Sequence, residues 1–178
     1  MEFDPQPRLA GDLIEFRPLV PADWDALYAV ASDPAIWEQH PAPDRWREPA
    51  FRGFFEDALA SGGALVAIDR ADGSVIGSSR YHGFDPERSE VEIGWTFLAR
   101  SRWGGVFNGE MKRLMLDHAF RFVESVLFLV GPQNRRSRRA VEKIGGKLDG
   151  RAERFGRESL VYRLRSADWA DRAAGTAA

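Results

Sequence analysis

Three glycines, at positions 104, 105 and 109, lie in the segment RSRWGGVFNGEM, which joins a strand pattern to a helix pattern. Strand 89–98 precedes this segment, helix 107–122 begins within it, and strand 125–131 follows. In strand–helix–strand units, anions bind at the loop after the first strand, where free backbone amides point outward. Glycine lets the backbone come close to a ligand. The segment therefore predicts a phosphate-binding loop, and the alternative is a glycine-rich turn that only starts a helix.

Strand 89–98, SEVEIGWTFL, has the pattern of one apolar and one polar face. Alternation along the strand places four apolar side chains together, those of Val91, Ile93, Trp95 and Phe97. The other face then carries Glu90, Glu92, Gly94 and Thr96. If both faces of the sheet are covered, this polar face needs a cover other than a packed helix. We therefore expect it to border a cleft, and the alternative is the solvent-facing side of an antiparallel strand.

The composition limits the classes of protein that fit this chain. A chain of 178 residues with a formal net charge of −2 suits one domain and argues against a general nucleic-acid binder. It has no cysteine, which excludes disulfides, thiolate metal sites and a cysteine nucleophile. The histidines, His40, His82 and His118, lack ligand spacing, so we expect no metal. Without an apolar leader or a long apolar run, we expect a cytoplasmic protein with no membrane partner.

Periodicity along the chain predicts seven strands and four helices in one domain over residues 12–165. The strands are 13–19, 64–68, 74–84, 89–98, 125–131, 147–153 and 158–165. The helices are 21–32, one that runs through Phe51 and Leu59, 107–122 and 134–144. Strand 125–131 is apolar on both faces, as expected in the middle of a sheet with parallel neighbours. The polar or small-residue ends, 1–11 and 170–178, are predicted to be mobile tails.

Two motifs about thirty residues apart resemble those of a known family. Residues 91–120 and 130–148 resemble the acetyl-CoA-binding half of the GNAT N-acetyltransferases, in the branch that contains ribosomal-protein-alanine acetyltransferases. The family's loop, often W-G-x-G-Y-A-T-E in this branch, falls on Trp103 to Glu110. Its second element, N-x-x-S/A followed by E-K-x-G, falls on Asn134, Ser137, Glu142, Lys143 and Gly145. The resemblance implies an α/β fold with a mixed, twisted sheet of about seven strands, flanked by about four helices.

The resemblance also implies an activity, which is acetyl transfer from acetyl-CoA to a primary amine by direct attack in a ternary complex. The amine would belong to a protein N-terminus or to a small molecule. The backbone of Thr96, Phe97 and Leu98 would pair with the pantetheine arm. Backbone amides of the loop would hold the pyrophosphate, namely those of Trp103, Gly104, Gly105, Val106, Phe107 and Asn108. Asn134 would cap its helix, contact the pantetheine, or do both.

The loop departs from the family pattern at two positions. Val106 replaces the central glycine, and Asn108 replaces a glycine or alanine. A valine at positive φ is strongly disfavoured. The loop can therefore serve as a phosphate cradle only if Val106 has an ordinary φ and if Gly104 and Gly105 supply the flexibility.

Glu92 and Ser137 are the predicted catalytic residues. Glu92 lies eleven residues before Trp103, the spacing at which some family members carry a general-base glutamate. The alternative is a structural carboxylate paired with an arginine, and Glu90 is the reserve base. The family's general-acid tyrosine corresponds here to Val141, so that acid is absent. Ser137 would protonate the leaving thiolate instead, unless it only caps its helix or contacts backbone.

Three residues are predicted to bind the acceptor. His40 and Trp46 bracket the sequence PAPD, in a loop that helps to wall the acceptor site in the family, and His82 leaves its strand near the cleft. His40 and Trp46 could instead only anchor a loop, and His82 could assist the base. Four arginines, at positions 135, 136, 138 and 139, crowd the start of helix 134–144, where a cation opposes the helix dipole. They would contact coenzyme phosphates or form a solvated basic face.

Two other functions fit the same sequence. One is a non-catalytic acyl-CoA-binding or sensing module of the same fold, and the other is an interaction protein that meets acidic partners through the arginine cluster. Loss of turnover with retained coenzyme binding in Glu92→Gln would separate the enzyme from the sensor. A homodimer is the default assembly if the chain oligomerises.

Overall fold

A mixed β-sheet forms the centre of the molecule. The computed structural model describes residues 2–175, and within them eight strands follow the order β1-β2-β3-β4-β5-β6-β8-β7. The strands are β1 (Leu9–Ala10), β2 (Ile14–Pro18), β3 (Ala64–Asp69), β4 (Val75–Asp85), β5 (Glu90–Leu98), β6 (Ser125–Val130), β7 (Lys147–Arg154) and β8 (Arg157–Arg165). Strands β5 and β6 are parallel, whereas every other neighbouring pair in this described part is antiparallel.

The helices pack on both faces of this sheet. In the described chain they number six, α1 (Trp24–Ala31), α2 (Pro34–Trp37), α3 (Glu48–Ala60), α4 (Val106–Ala119), α5 (Arg135–Lys143) and α6 (Ser166–Gly175). Helix α4 connects the parallel strands β5 and β6, as a crossover between parallel neighbours requires. It therefore begins beside the carboxyl end of β5, at the loop predicted to bind phosphate.

Two apolar clusters hold these helices against the sheet. Alternate residues of β3 enter different clusters, Leu65 with the α4 side and Val66 with the α1 and α3 side, so the clusters lie on opposite faces. The α4 cluster includes Val91, Ile93, Met111, Met115, Leu116 and Val126. The other cluster includes Leu27, Trp37, Phe51, Phe54, Phe55 and Phe97.

A bulge in β5 changes the predicted alternation of its side chains. Ser78 pairs with Phe97 but Arg80 pairs with Gly94, so β5 has one more residue than β4 in this interval. The extra residue is accommodated at Trp95, whose φ of 51° is uncommon for a residue other than glycine. After the bulge, Phe97 packs on the α1 and α3 side, whereas Ile93 packs on the α4 side. The prediction that Val91, Ile93, Trp95 and Phe97 share one face was therefore wrong.

The predicted α/β class and mixed sheet are confirmed, with differences in the number of elements. All seven predicted strands and all four predicted helices occur within residues 2–175, and β1, α2 and α6 were not predicted. Strand β6 lies inside the sheet as expected, but only β5 runs parallel to it among the described strands, since β8 is antiparallel.

Parts of the two segments predicted to be mobile tails have defined structure. Phe3 is buried, and its ring lies edge-on to Tyr81 with a centroid distance of 5.3 Å. At the other end, α6 extends to Gly175, while residues 176–178 lie outside the described residues. Phe3 and α6 both lie outside residues 12–165, the range predicted for the domain. Within residues 2–175, no helix is both long and apolar enough to cross a membrane.

Candidate active site

The parallel strands β5 and β6 separate after three residue pairs, the last of which joins Glu92 to Leu127. Beyond this point β5 stays paired with β4 and β6 stays paired with β8. A cavity of about 600 Å³ lies between them, walled by β5, β6, α4, α5, residues 36–45 and the β7–β8 turn. The separation leaves the β6-facing backbone edge of β5 free to pair with an extended ligand.

One end of the cavity lies at the N-terminus of α4. Gly104 has a φ of 75°, Gly105 is the N-cap, and no side chain caps the first turn. Val106 starts the helix and is not among the described residues with positive φ, as the predicted cradle requires. A Cβ atom built on Gly104 or Gly105 would meet nothing within 4 Å. The first-turn amides therefore combine unsatisfied donors with open space, which suits an anion.

The side chains of the loop differ in where they point. Trp103, Gly104 and Asn108 line the cavity. Val106 is exposed at 66%, and Phe107 packs against the α4 cluster and beneath Arg102, so neither side chain enters the cavity. Only the backbone of these two residues is available to a ligand in the cavity, which is the contribution that the resemblance implied for them.

Trp103 and Arg136 bring a cation beside the α4 N-terminus. The indole Nε1 of Trp103 donates to the carbonyl of Leu98 at 2.8 Å, which fixes the ring. The Arg136 guanidinium lies over this ring, with Cζ 4.0 Å from the centroid, and donates to the Ile36 carbonyl at 2.8 Å. Of the arginine cluster, Arg138 instead donates to the hydroxyl of Tyr162 at 3.1 Å. The four arginines therefore do not form one face, and Arg136 is the member that lines the cavity.

The predicted pantetheine segment lies along the separated part of β5. The ring of Phe97 packs against Trp37, at a centroid distance of 5.1 Å, and Leu98 packs in the α4 cluster. Thr96 Oγ1 lies 2.8 Å from Ser79 Oγ on the neighbouring strand β4. All three residues line the cavity, and their side chains are held by the protein. Apart from the Leu98 carbonyl, which accepts from Trp103, the backbone of this segment on the β6 side is left for a ligand.

Lys112 was missed by the sequence analysis. It lies one turn after Asn108 on α4, and its Nζ donates to Thr96 Oγ1 at 3.2 Å and lies 5.0 Å from the Phe128 ring centroid. Burial lowers the pKa of Lys112 to about 8, and no carboxylate pairs with it in the described structure. The sequence did offer a signal for Lys112. It lies four residues after Asn108, a spacing that puts both side chains on the same face of the helix.

Asn134 and Ser137 lie at the start of α5, on the opposite wall. Asn134 is buried, and its Oδ1 accepts a hydrogen bond from the Ser137 amide at 3.1 Å, so its predicted role as N-cap is confirmed. Both residues line the cavity. The backbone amide of Ser137 takes part in this cap, and its hydroxyl makes no hydrogen bond to any described residue. It is therefore free to contact a ligand.

Glu92 also lines the cavity, but it is paired. Its carboxylate is buried and accepts hydrogen bonds from Arg154 at 2.8 and 2.6 Å. Glu90 has a similar partner, since Arg163 donates to it at 2.8 Å, but Glu90 does not line the cavity. Both carboxylates of the predicted polar face are thus covered by arginines from the β7–β8 hairpin. Arg154 belongs to neither motif and was not predicted.

The three predicted acceptor residues are not brought together. His40 lines the cavity and accepts a hydrogen bond from the Ala42 amide at Nδ1, at 2.9 Å. Trp46 packs against the α1 and α3 cluster, and its carbonyl accepts from the Tyr28 hydroxyl at 3.3 Å. His82 is exposed and lies edge-on to Trp95, with a centroid distance of 5.2 Å. Neither Trp46 nor His82 lines the cavity as described.

Comparison with known families identifies the fold and its motifs. The model of the acetyltransferase (GNAT) domain matches residues 14–147, which include both the Trp103–Glu110 loop and the start of α5. The chain belongs to the GNAT acetyltransferase family. This confirms the resemblance that the two motifs indicated.

Three individual relatives of this GNAT chain are each less than a third identical to it. The uncharacterized protein YkkB of Bacillus subtilis (strain 168) is 31% identical over 107 residues, which span 57% of this chain and 60% of YkkB. A putative acetyltransferase from T. thermophilus is 29% identical, with a TM-score of 0.77 over 98% of this chain and 96% of that one. Mycobacterium smegmatis RimJ, solved in complex with CoA-disulfide, is 19% identical, with a TM-score of 0.68 over 92% and 89% of the two chains. The likeness to RimJ is therefore one of fold.

Proposed function

We propose that this GNAT chain is an acetyl-CoA-dependent N-acetyltransferase that moves an acetyl group to a primary amine, on a protein N-terminus or a small molecule. The proposal is based on the cavity between β5 and β6. It runs from the uncapped N-terminus of α4, at Gly104, to the buried carboxylate of Glu92. An anion-binding end and a carboxylate end within one cavity suit a ligand that carries both phosphates and a reactive group.

The residues of the cavity fit the coenzyme. Acetyl-CoA supplies a phosphate-bearing carrier and an acetyl thioester. The first-turn amides of α4 and the guanidinium of Arg136 offer donors to the pyrophosphate. The backbone edge of Thr96, Phe97 and Leu98, apart from the Leu98 carbonyl that accepts from Trp103, offers a strand partner to the amide-bearing pantetheine arm. The RimJ structure in complex with CoA-disulfide has the same fold, which supports this assignment.

Glu92 is the proposed general base, acting on the amine directly or through a water. A carboxylate has about four acceptor positions, and Arg154 uses two of those on Glu92, so an incoming amine can use the others. Loss of the amine proton leaves the nitrogen lone pair free to attack. Holding the amine in attack geometry beside Glu92 contributes to the rate independently of the proton transfer.

Ser137 is the proposed general acid. Its hydroxyl has no hydrogen-bond partner in the described structure, while its amide is fixed by Asn134. It therefore has a free O–H to donate to the thiolate that leaves. The absence of cysteine fits direct transfer, because it excludes an acetyl-cysteine relay.

A non-catalytic acyl-CoA-binding module is the second candidate, and the Glu92–Arg154 pair favours it. A buried carboxylate held at two points by a guanidinium can serve a purely structural role, which needs no proton transfer. Such a module would bind acetyl-CoA and release no CoA when amines are added.

The first experiment is calorimetric titration of the protein with acetyl-CoA, followed by assay of CoA thiol release with a panel of amines. Asn108→Asp and Gly104→Glu each add a negative charge at the cradle, and both should weaken binding by about tenfold or more. Gly104→Gln is the matched control, because it has the same backbone strain at positive φ without the charge. If the unaltered protein does not bind acetyl-CoA, the proposed function is wrong.

A further inference from the structure

The acceptor end of the cavity has an excess of positive charge. Five cationic side chains line the whole cavity, against one carboxylate, Glu92, among the residues that the structure describes. They are Arg45, Lys112, Arg136, Arg154 and Arg157. Lys112 and Arg136 lie at the coenzyme end, and Arg154 is paired with Glu92. Two arginines, Arg45 and Arg157, remain at the acceptor end, and neither forms an ion pair with a carboxylate of the described residues. Asp44 and Asp57 attract Arg45 from a greater distance, but burial and the charges of Arg80 and Arg157 outweigh them and lower its pKa.

His40 adds a further donor to these two arginines. Because its Nδ1 accepts the Ala42 amide, the neutral imidazole must carry its proton on Nε2. Burial, with the charges of Arg45 and Arg157, lowers the pKa of His40 to about 3, so the ring is neutral near pH 7. Arg45 Nη1 lies 3.4 Å from His40 Nε2. This is a contact between two donors, so neither group satisfies the other.

The surroundings of Arg45 make its positive charge energetically unfavourable in the ligand-free protein. Its guanidinium lies over the Phe54 ring, with Cζ 4.6 Å from the centroid, and burial with the charges of Arg80 and Arg157 lowers the pKa of Arg45 to about 10. Arg80 lies 5.7 Å from the same ring centroid and is buried, with Nε and Nη2 lacking any hydrogen-bond partner. Its third nitrogen, Nη1, donates to Asp57, whose side chain is 65% exposed. Repulsion among these cations would be relieved by a bound anion.

Two segments of the chain border the acceptor end. Arg157 Nη1 donates to the carbonyl of Pro41, which joins the β7–β8 turn to residues 36–45. Phe155, at the tip of that turn, lines the same end of the cavity and is 83% exposed. A cavity of about 600 Å³ that also holds the coenzyme arm has room for a small molecule rather than an extended polypeptide.

We propose that the acceptor is a small amine that also carries an anionic group, a carboxylate or a phosphate, which Arg45, Arg157 and the Nε2–H of His40 bind while the amine faces Glu92. This inference rests on the proposed function, because it names the substrate class of the same site. Guanidinium groups bind carboxylates and phosphates with charge-assisted, often two-point hydrogen bonds. The carboxylate of Glu92, which is paired with Arg154, then contacts the amine of the same molecule.

The test compares pairs of amines with and without an anionic group. CoA thiol release is measured with methionine against methioninamide, with phosphoethanolamine against ethanolamine, and with a neutral hexapeptide. We expect at least one acid-bearing amine to exceed its neutral partner in kcat/KM by about tenfold or more. In Arg45→Gln and Arg157→Gln this ratio should fall towards one. Arg151→Gln is the control, because Arg151 lies on the same hairpin, pairs with Glu158 and does not line the cavity.

The outcomes separate this inference from the proposed function. Equal kcat/KM within both pairs, or a preference for the hexapeptide, would overturn the inference while the transferase stands. If no amine is turned over, calorimetric titration of CoA-saturated protein with methionine and with phosphoethanolamine still tests the anion site. Binding that Arg157→Gln weakens about tenfold supports the site without catalysis, and absence of binding by both ligands overturns it.

Discussion

The buried carboxylate of Glu92 accepts two hydrogen bonds from the guanidinium of Arg154, at 2.8 and 2.6 Å. The pair joins β5, where it separates from β6, to the end of β7. Arg154 also lies over the ring of Trp95, with Cζ 5.1 Å from the centroid. The guanidinium is thus held by a carboxylate and an aromatic ring, and it fixes the orientation of Glu92 in the cavity.

Glu92→Gln should remove turnover while leaving coenzyme binding intact. The amide keeps the shape of the side chain but cannot take a proton, and loss of a general base lowers kcat by roughly 100- to 10,000-fold. Thiol release gives kcat, and calorimetric titration gives the Kd for acetyl-CoA, which should change less than about threefold.

Glu90→Gln is the matched control for this prediction. Glu90 is also buried and bound by an arginine, Arg163, but it does not line the cavity. Its kcat should therefore stay within about twofold of the unaltered protein. Equal kcat values for Glu92→Gln and Glu90→Gln would exclude Glu92 as the base.

The elements of the fold could be predicted because their hydrophobic periodicity is local. The segment after Trp103 shows its loop by glycines and its helix by the spacing of Met111, Leu114 and Met115. The bulge at Trp95 could not be predicted, because tryptophan has no intrinsic preference for positive φ and the bulge depends on pairing with β4. That single residue reversed the face assigned to Phe97.

Most of the predicted residues that line the cavity lie in or near one of the two motifs, and His40 is the exception. Gly104, Asn108, Asn134 and Ser137 belong to motifs and line the cavity together. Arg154 reaches Glu92 from a strand 62 residues away in sequence, and no local pattern indicates such a pair. The same holds for Arg45, which becomes notable only because Arg80 and Arg157 come close to it in the folded chain.

Arg136→Met should weaken acetyl-CoA binding by about tenfold, measured by calorimetric titration at low salt. Arg136 lies over Trp103, beside the first turn of α4, where the phosphates are proposed to bind. The difference between the variant and the unaltered protein should shrink as salt is added, because ions screen a partly exposed charge. Arg139→Met is the control, because Arg139 is exposed on the same helix and does not line the cavity. Equal losses in both variants would contradict a specific role for Arg136.

Glu110→Gln should lower the free energy of unfolding by about 1–3 kcal/mol at pH 7. The Glu110 carboxylate accepts the backbone amides of Asp12, Leu13 and Ile14 at 2.9, 2.8 and 2.8 Å, which ties α4 to the start of β2. Burial alone would raise the pKa of Glu110, but these donations outweigh it and lower the pKa below 4.5. The stabilisation is thus present above about pH 4.5 and is lost as the pH falls through the folded-state pKa.

Urea unfolding at pH 7 and at pH 4 checks this prediction for Glu110. The gap between the variant and the unaltered protein should be smaller at pH 4. Glu56→Gln, at an exposed position on α3, should change the free energy of unfolding by less than about 0.5 kcal/mol at either pH. A gap for Glu110→Gln that does not depend on pH would mean that its charge plays no part.

Lys112→Met should raise the free energy of unfolding of the ligand-free protein by about 1–3 kcal/mol at pH 7. Burial lowers the pKa of Lys112 from 10.5 to about 8, so keeping the ammonium charged in the folded protein is unfavourable. Methionine has a similar shape and removes the charge, at the loss of the hydrogen bond to Thr96. The expected gain in the free energy of unfolding is therefore the desolvation cost that is removed, less the contribution of the hydrogen bond to Thr96 that is lost.

The pH dependence identifies the ammonium as the cause. Between about pH 8 and 10.5 the unfolded chain binds the Lys112 proton and the folded chain does not, so the unaltered protein gains stability as the pH rises through this window. The advantage of Lys112→Met should thus be largest below pH 8 and disappear by about pH 10.5 in urea unfolding. Lys147→Met, at an exposed lysine paired with Asp168, should show no such window. A variant that is less stable at pH 7 would mean that the contacts of Lys112 with Thr96 and the Phe128 ring outweigh its burial.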